Sequence, residues 1–317
     1  MILYRAAIAP EGPLASPLQS DTLFGAFCWS WLRCFGEQSL KDDILCPARN
    51  GEPPVIFSNG FPGGGLPLPM GCYDMGNQFE KITGKQERRA AYQRNKKLKG
   101  ARFVSRSSFD RIRAGDWRGF ADELMEEGGR EDTTIHNMVS RDSGTVENLD
   151  GAGNLFGSDR RFFHPSQRFD CYVLTSLEQK RLSVVLELML SLGIGADKST
   201  GCGVFRLETL EKDRELLVPP ENANGFIALS NFVPAHTDPT EGFYQTLAKY
   251  PKLDREFAMS ETPFKKPMLF LKAGAMFRAN TPKEWYGRCI TGVAAIDEPV
   301  MVNGCTIAVP ACIPEGV

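Results

Sequence analysis

The sequence contains no run of about 18 consecutive apolar residues, so a membrane-spanning helix is excluded. Its first residues, MILYRAAIAPEGP, lack a basic segment followed by a long apolar core and predict no secretory signal. The nine cysteines (28, 34, 46, 72, 171, 202, 289, 305 and 312) are scattered and form no CxxC pair. That disfavours a zinc knuckle, leaves no metal set to propose, and fits reduced thiols in the cytoplasm. Histidine is scarce: His136, His164 and His236 are the three, and none sits in a recognisable nucleophile–base arrangement. No residue-level repeat is visible. With 42% apolar and 24% charged residues in 317, the chain reads as globular and long enough for one large or two ordinary domains.

A net charge of −2 conceals an uneven distribution. Between Lys81 and Arg118 thirteen lysines and arginines, Lys96, Lys97, Lys99 and Arg102 among them, face only Glu87, Asp110 and Asp116. Such a run is either a solvated loop or a phosphate-binding arm, since clustered cations gain affinity by releasing counterions from a nucleic-acid backbone. Tyr92, Phe103, Phe109 and Trp117 lie among the charges, as they would if bases stacked there.

Along the chain, Ile2, Tyr4, Ala6 and Ile8 alternate as in a strand. In LQSDTLFGAFCWSWLRCFG, Phe24, Phe27, Cys28, Trp31 and Phe35 recur at helical spacing as a core stripe. Ser20 or Asp21 can cap that helix, and Gly36 can close it. Residues 46–80 are rich in proline and glycine and predict a surface loop or insertion, not a regular element. GDWRGFADELMEEGGRED reads as a short acidic helix, and residues 133–156 as a turn-rich stretch with a hairpin-like Ser143–Gly144. Residues 168–177 predict a strand, 177–192 a helix buried through Leu182, Val185, Leu186, Met189 and Leu190, and 204–211 a strand. The first part is therefore an α+β unit of split βαβ, ferredoxin-like kind. A second module follows a linker at 214–225: strands at FIALSNFVP and KPMLFLKAGAMFRA, a helix at TEGFYQTLAKYP, and a hairpin turning at Asn303–Gly304. The boundaries are about 1–213, with insertions at about 46–167, and 226–317.

LGIGADKSTGCGVF, residues 192–205, places Gly193, Gly195, Gly201 and Gly203 around Lys198 and Ser199. Each glycine in an element costs roughly 0.5–1 kcal/mol relative to alanine, so four need a reason. A P-loop is excluded because Asp197 and Leu192 stand at its glycine positions and a helix precedes. A dinucleotide fingerprint is excluded because the loop enters a strand and does not open a helix. Two readings are left: a turn of purely structural purpose, or a loop whose free amides hold phosphate oxygens beside Lys198 and Ser199.

A helix, this loop and a strand resemble the glycine-rich loop of the RAMP superfamily of CRISPR RNA-binding proteins. LQSDTLFGAFCW is similar to the opening helix of one branch, subunit four of type III-A Csm effector complexes. FPGGGLPLP (61–69), KKLKGARFVS (96–105), the thumb-like IHNMVSRDSGT…LF (135–156) and EPVMVNGCTIAV agree with that branch, as does chain length. The resemblance covers most of the chain as spaced motifs. It implies tandem ferredoxin-like (RRM/RAMP) domains with a long basic insertion in the first. It further implies a grip on the 5′ tag of the CRISPR RNA, docking on the large polymerase-like subunit and on the RAMP backbone subunit, and indirect contact with target RNA. By position, Gly193, Gly195, Lys198, Ser199, Gly201 and Gly203 would approach the tag's phosphates, and Ser20 and Asp21 would bind RNA or cap their helix. His136, Asn137 and Arg141 would belong to the thumb. Lys96, Lys97, Lys99 and Arg102 would meet phosphates or the large subunit. His136–Asn137 depart from the family's more basic stretch.

No catalysis, cofactor or metal is expected. Three classes stay open: a non-catalytic RNA-tag subunit (with the type III-B counterpart as its near relative), a metal-independent endoribonuclease processing precursor RNA through His136 or His164, and a protein-only assembly module.

Overall fold

β1 (Ile2–Pro10) buries Tyr4 and Ile8 on one side and Leu3 on the other, so both faces of its sheet are covered. In the computed structural model the described residues are 1–71, 84, 89, 92, 93, 96, 97, 100–116, 123–137, 139, 144–146, 155–254, 257, 258, 262–294 and 300–313. β1 leads into α1 (Ser20–Ser39), whose Leu23, Phe24, Phe27 and Trp31 are buried. Gly36, at φ +83°, breaks the helical path, and the chain continues through a π-helical turn (Leu40–Leu45) and α2 (Cys46–Arg49). β2 (Val55–Pro62) follows.

The sheet is completed much later, by β8 (Phe169–Thr175), α4 (Gln179–Ser191) and β9 (Phe205–Lys212). Its order is β2-β8-β1-β9 with every pair antiparallel, and α1 and α4 are the two crossovers. The first half is thus the split βαβ pattern the sequence predicts. Both helices cover one face, where Phe27 packs on Trp31 and Phe57 at ring-centroid distances of 5.6 and 5.3 Å.

Between β2 and β8 lie β3 (Gly65–Pro67), β4 (Phe103–Ser105), α3 (Arg106–Arg113) and β5 (Leu124–Met125), then a ribbon of β6 (Arg130–Asn137) and β7 (Leu155–Phe162). Residues 55–62, read as part of a Pro/Gly-rich insertion, form a fully integrated edge strand. Pro62 ends that strand, where a missing N–H is tolerated. The acidic helix expected at 115–132 is not seen among the described residues: Leu124 pairs with Val104 as a strand, and Arg130–Asp132 belong to β6. The turn-rich segment carries the ribbon, with a further bridge between Val139 and Val146; Ser143 of the expected turn lies outside the described residues.

The second half is a sheet of order β11-β14-β10-β16-β15: β10 (Gly225–Ala228), β11 (Gly242–Phe243), β14 (Met276–Arg278), β15 (Trp285–Thr291) and β16 (Met301–Ala311). A separate hairpin joins β12 (Thr246–Lys249) to β13 (Met268–Leu271). No described residue of this half is α-helical, so the second ferredoxin-like domain finds no helical counterpart here. TEGFYQTLAKYP is β11 and β12: Leu247 turns inward and Ala248 outward, a period of two. Asn303–Gly304 is not a turn either. Asn303 is buried mid-strand, its amide donating to the Val55 carbonyl and accepting from the Cys305 N–H, and a Cβ on Gly304 would lie 2.7 Å from the Arg288 carbonyl. The pair serves close packing in a strand that crosses the core. Ile227, Leu229, Met276, Ile307 and Val309 of this sheet pack on Leu3, Ile56, Tyr172 and Leu174, the face of the first sheet that the helices leave open. No described helix is long and apolar enough to cross a membrane.

Candidate nucleic-acid interface

The four loop glycines divide by burial. Gly193 and Gly203 are buried and held at φ +84° and +73°. A Cβ on Gly203 would collide with the Ile194 carbonyl, and one on Gly193 would lie 2.8 Å from the Cys202 carbonyl. The loop folds back on itself and on the β1–α1 connection: Ile194 N–H donates to Gly203, Gly203 N–H to Pro13, and Ala196 N–H to Ser16 Oγ. Thr200, Gly201 and Cys202 donate to carbonyls within the loop. Six of the amides between residues 194 and 203 are therefore already engaged, and close packing within the protein accounts for Gly193, Gly195 and Gly203. Gly201 differs: it is exposed, left-handed at φ +83°, with open space where a Cβ would stand. Exposed Ser199 neighbours it.

The β6–β7 ribbon leans on this loop. Ser158 Oγ donates to Asp197 at 2.8 Å, and the Arg160 guanidinium lies 3.7 Å from Asp197 and donates to Thr200 Oγ1 at 3.3 Å. Arg160 Nε is buried without a hydrogen-bond partner. On the ribbon's other face and tip Ile135, Val139, Val146 and Leu155 are exposed. His136 sits opposite Phe156 and stacks on it at 5.5 Å.

Between the ribbon, the β1–α1 connection and the second half runs a cleft of about 770 Å³. Ser16 and Gln19 of the β1–α1 connection, Arg102, Arg160 and Arg161, Gln245 and Lys272 supply polar groups to its lining, together with the carboxylates Glu127, Glu131 and Asp159 and the apolar Pro67, Leu68 and Phe103. Arg161 is neutralised by Glu127 and Glu131, whereas Arg102 reaches the cleft from the basic segment. The floor is built by an amide pair. Asn59 Nδ2 donates to Asn231 Oδ1 at 3.2 Å, Asn59 Oδ1 accepts the Ser20 amide, and Ser20 Oγ donates to the Asn231 carbonyl.

These contacts answer the choice at the start of α1. Neither Ser20 nor Asp21 caps the helix; Gln19 occupies that position without a side-chain bond. Ser20 ties the helix to the second half, and Asp21 is clamped through both oxygens, at 2.6 Å each, by Lys249 of β12. Lys198 is likewise taken by a carboxylate, Asp254, beyond the same hairpin strand. Burial lowers the pKa of Lys265, which also faces Asp21, Cys28, Lys249 and Asp254.

Of the described site residues singled out from sequence, Arg102 alone lines the cleft. Ser20 borders it through Asn59 and Asn231, and the glycine loop through Ser16 and Arg160. Asp21 is turned to Lys249, and His136 and Asn137 lie farther out on the ribbon. Lys96 and Lys97 are exposed and helical. Lys99 and Arg141 lie outside the described residues. His164 Nδ1 accepts the Ser166 amide within its own turn. Sequence reasoning missed Asn59, Asn231, Lys249, Asp254 and Lys272, which carry no motif and meet only through the contact of the two halves. Arg160 and Arg161 had a signal, being adjacent cations at the foot of the thumb segment.

No protein-family model matches the chain, and no curated protein does. Solved structures match it over nearly its whole length. A chain of a crystal structure of the Csm1-Csm4 cassette in complex with pppApA aligns with TM-score 0.62 and 18% identity, over 99% of this chain and 100% of that one. The cassette in complex with AMPPNP gives the same values. A chain of the Csm3-Csm4 subcomplex in the type III-A CRISPR-Cas interference complex aligns with TM-score 0.60 and 12% identity, over 95% of this chain and 99% of that one. Csm4 is the component common to these assemblies, and this chain has a Csm4-like fold.

Proposed function

We propose that this chain is a non-catalytic subunit of a type III-A CRISPR effector complex, that its cleft holds the 5′ tag of the CRISPR RNA, and that it docks the large polymerase-like subunit and the RAMP backbone subunit. The observation that carries the reading is the cleft. Arg102, Arg160 and Lys272 converge on one groove beside a ribbon with apolar side chains at its end. Cations on a groove position a phosphate backbone, and flat or apolar side chains receive unstacked bases. The Csm4-like fold supports the assignment of class and of protein partners. The loop's contribution is narrower than four open glycines would give: Gly201, Ser199 and Lys198 form the reachable edge.

Photocrosslinking to a 5′-tagged guide RNA tests this. Peptides 193–205 and 133–145 should dominate the adducts, and affinity should fall steeply with salt. Adducts scattered over unrelated surfaces, with no salt dependence, would remove the reading. A ribonuclease reading has one observation in its favour: His136 Nε2 is buried and unpaired. Loss of precursor-RNA cleavage in His136→Ala would establish it.

A further inference from the structure

The β12–β13 hairpin has two faces of opposite character. Inward, Leu247 and Phe270 are opposite one another and Lys249 reaches Asp21, with its ammonium 5.7 Å from the Phe270 ring. Outward, Ala248 lies opposite Leu269, and the same face continues at two-residue steps through Tyr250 to Lys252. Lys252 is bridged to Phe264, with its ammonium 5.9 Å from that ring. Tyr250, Phe264 and Leu269 are 71%, 60% and 60% exposed, a concentration of bare apolar surface unusual on so small an element.

Charge indicates what would cover it. Lys252 and Lys266 are the exposed lysines here, whereas Lys249 is turned to Asp21, Lys265 is partly buried and Lys272 lines the cleft; the carboxylate of Asp254 is turned to Lys198. Protein interfaces are depleted in lysine, whereas aromatic rings interleaved with lysines suit single-stranded nucleic acid, with rings under the bases and ammonium groups on the phosphates. The hairpin's root, Gln245, Leu247 and Lys272, lines the cleft, which sets this element at the edge of the groove.

We infer that the outer face of the hairpin is a second RNA contact, stacking unpaired bases on Tyr250 and Phe264 beside Lys252. The inference takes from the proposed function that the strand in the cleft is RNA.

The test uses the full chain and a labelled single-stranded RNA of about 20 nucleotides, long enough for cleft and hairpin together. Y250S/F264S should weaken binding about five- to a hundred-fold, Y250F should bind as the unmodified chain does, and K252Q should lower the salt slope by about 0.7. Thermal melting of each variant shows that it is folded. R160Q serves as the cleft variant. If R160Q weakens binding and Y250S/F264S does not, the hairpin inference is overturned and the cleft reading stands. If only Y250S/F264S weakens it, the hairpin inference holds and the cleft reading falls. If Y250S/F264S leaves RNA affinity intact but abolishes association with another subunit, the face is a protein interface and the inference is overturned.

Discussion

The ammonium of Lys198, in the glycine loop of the first half, is ion-paired with the carboxylate of Asp254, which extends from the hairpin of the second half. Both side chains are partly shielded, so the pair is screened less than a surface ion pair. A phosphate approaching Lys198 has to displace that carboxylate or share the cation with it.

The first prediction follows directly. Asp254→Asn should raise affinity for tagged guide RNA by about three- to ten-fold and steepen the dependence of log K on log salt by about 0.7, because one more cation becomes available to phosphate. Lys198→Gln should do the reverse. Fluorescence anisotropy over a salt series measures both, and an unchanged slope in Asp254→Asn would show that Lys198 does not meet RNA.

Loop glycines should separate by role. Gly203→Ala puts a methyl group into the Ile194 carbonyl at a positive φ and should cost at least about 2 kcal/mol of stability. Gly201→Ala meets no neighbour and bears only the left-handed backbone penalty, about 1 kcal/mol. Chemical denaturation should rank them in that order, while RNA affinity at a temperature where both are folded should suffer more in Gly201→Ala.

Acid should weaken one tie between insertion and sheet. Arg106 of α3 is paired with Asp110 and with Asp213, just beyond β9, each at 2.8 Å. Burial works to raise the Asp213 carboxyl, but the Arg106 hydrogen bond, the amides of Leu216 and Glu215 and the nearby charge outweigh it, so its pKa is lowered. The unfolded chain, near the ordinary value of about 3.9, then takes up the proton first. The stabilisation is complete above about pH 5 and is lost as pH falls through the lower, folded value. Asp213→Asn should cost about 2 kcal/mol at pH 7 and leave a shallower acid limb in denaturant midpoints.

Thiol reactivity should follow burial. Burial pushes Cys171 up to about 12, with the Asp170 charge adding to it; burial and then the neighbouring Cys289 thiol do the same for Cys28. Both should resist iodoacetamide at neutral pH, where the exposed Cys46 is alkylated first. Mass spectrometry of briefly labelled native protein gives the order.

Much of the first half was legible because its elements announce themselves locally. The period of β1, the stripe of α1 and α4 and the glycine turn ending α4 each follow from a few adjacent residues. The Csm4-like resemblance was legible from the loop and the SDTLFGA helix together, and the fold agrees. The second half was misread where tertiary contacts override local signals: Asn303–Gly304 serves close packing, and TEGFYQTLAKYP follows the hairpin's alternation although its composition suits a helix. The candidate site was half visible. Glycines and cations stand out in a sequence, but nothing in one dimension shows that Asp254 reaches Lys198 or that Asn231 meets Asn59, 172 positions apart.

The sheet of the first half has no free face, because helices cover one side and the second half the other. Cutting the chain after residue 213 would take the cover of Ile227, Met276, Ile307 and Val309 away from Leu3, Ile56, Tyr172 and Leu174. Loop, ribbon and hairpin are consequently mounted on halves that share one apolar core, and prising those halves apart would expose Ile227, Met276 and Ile307 to water.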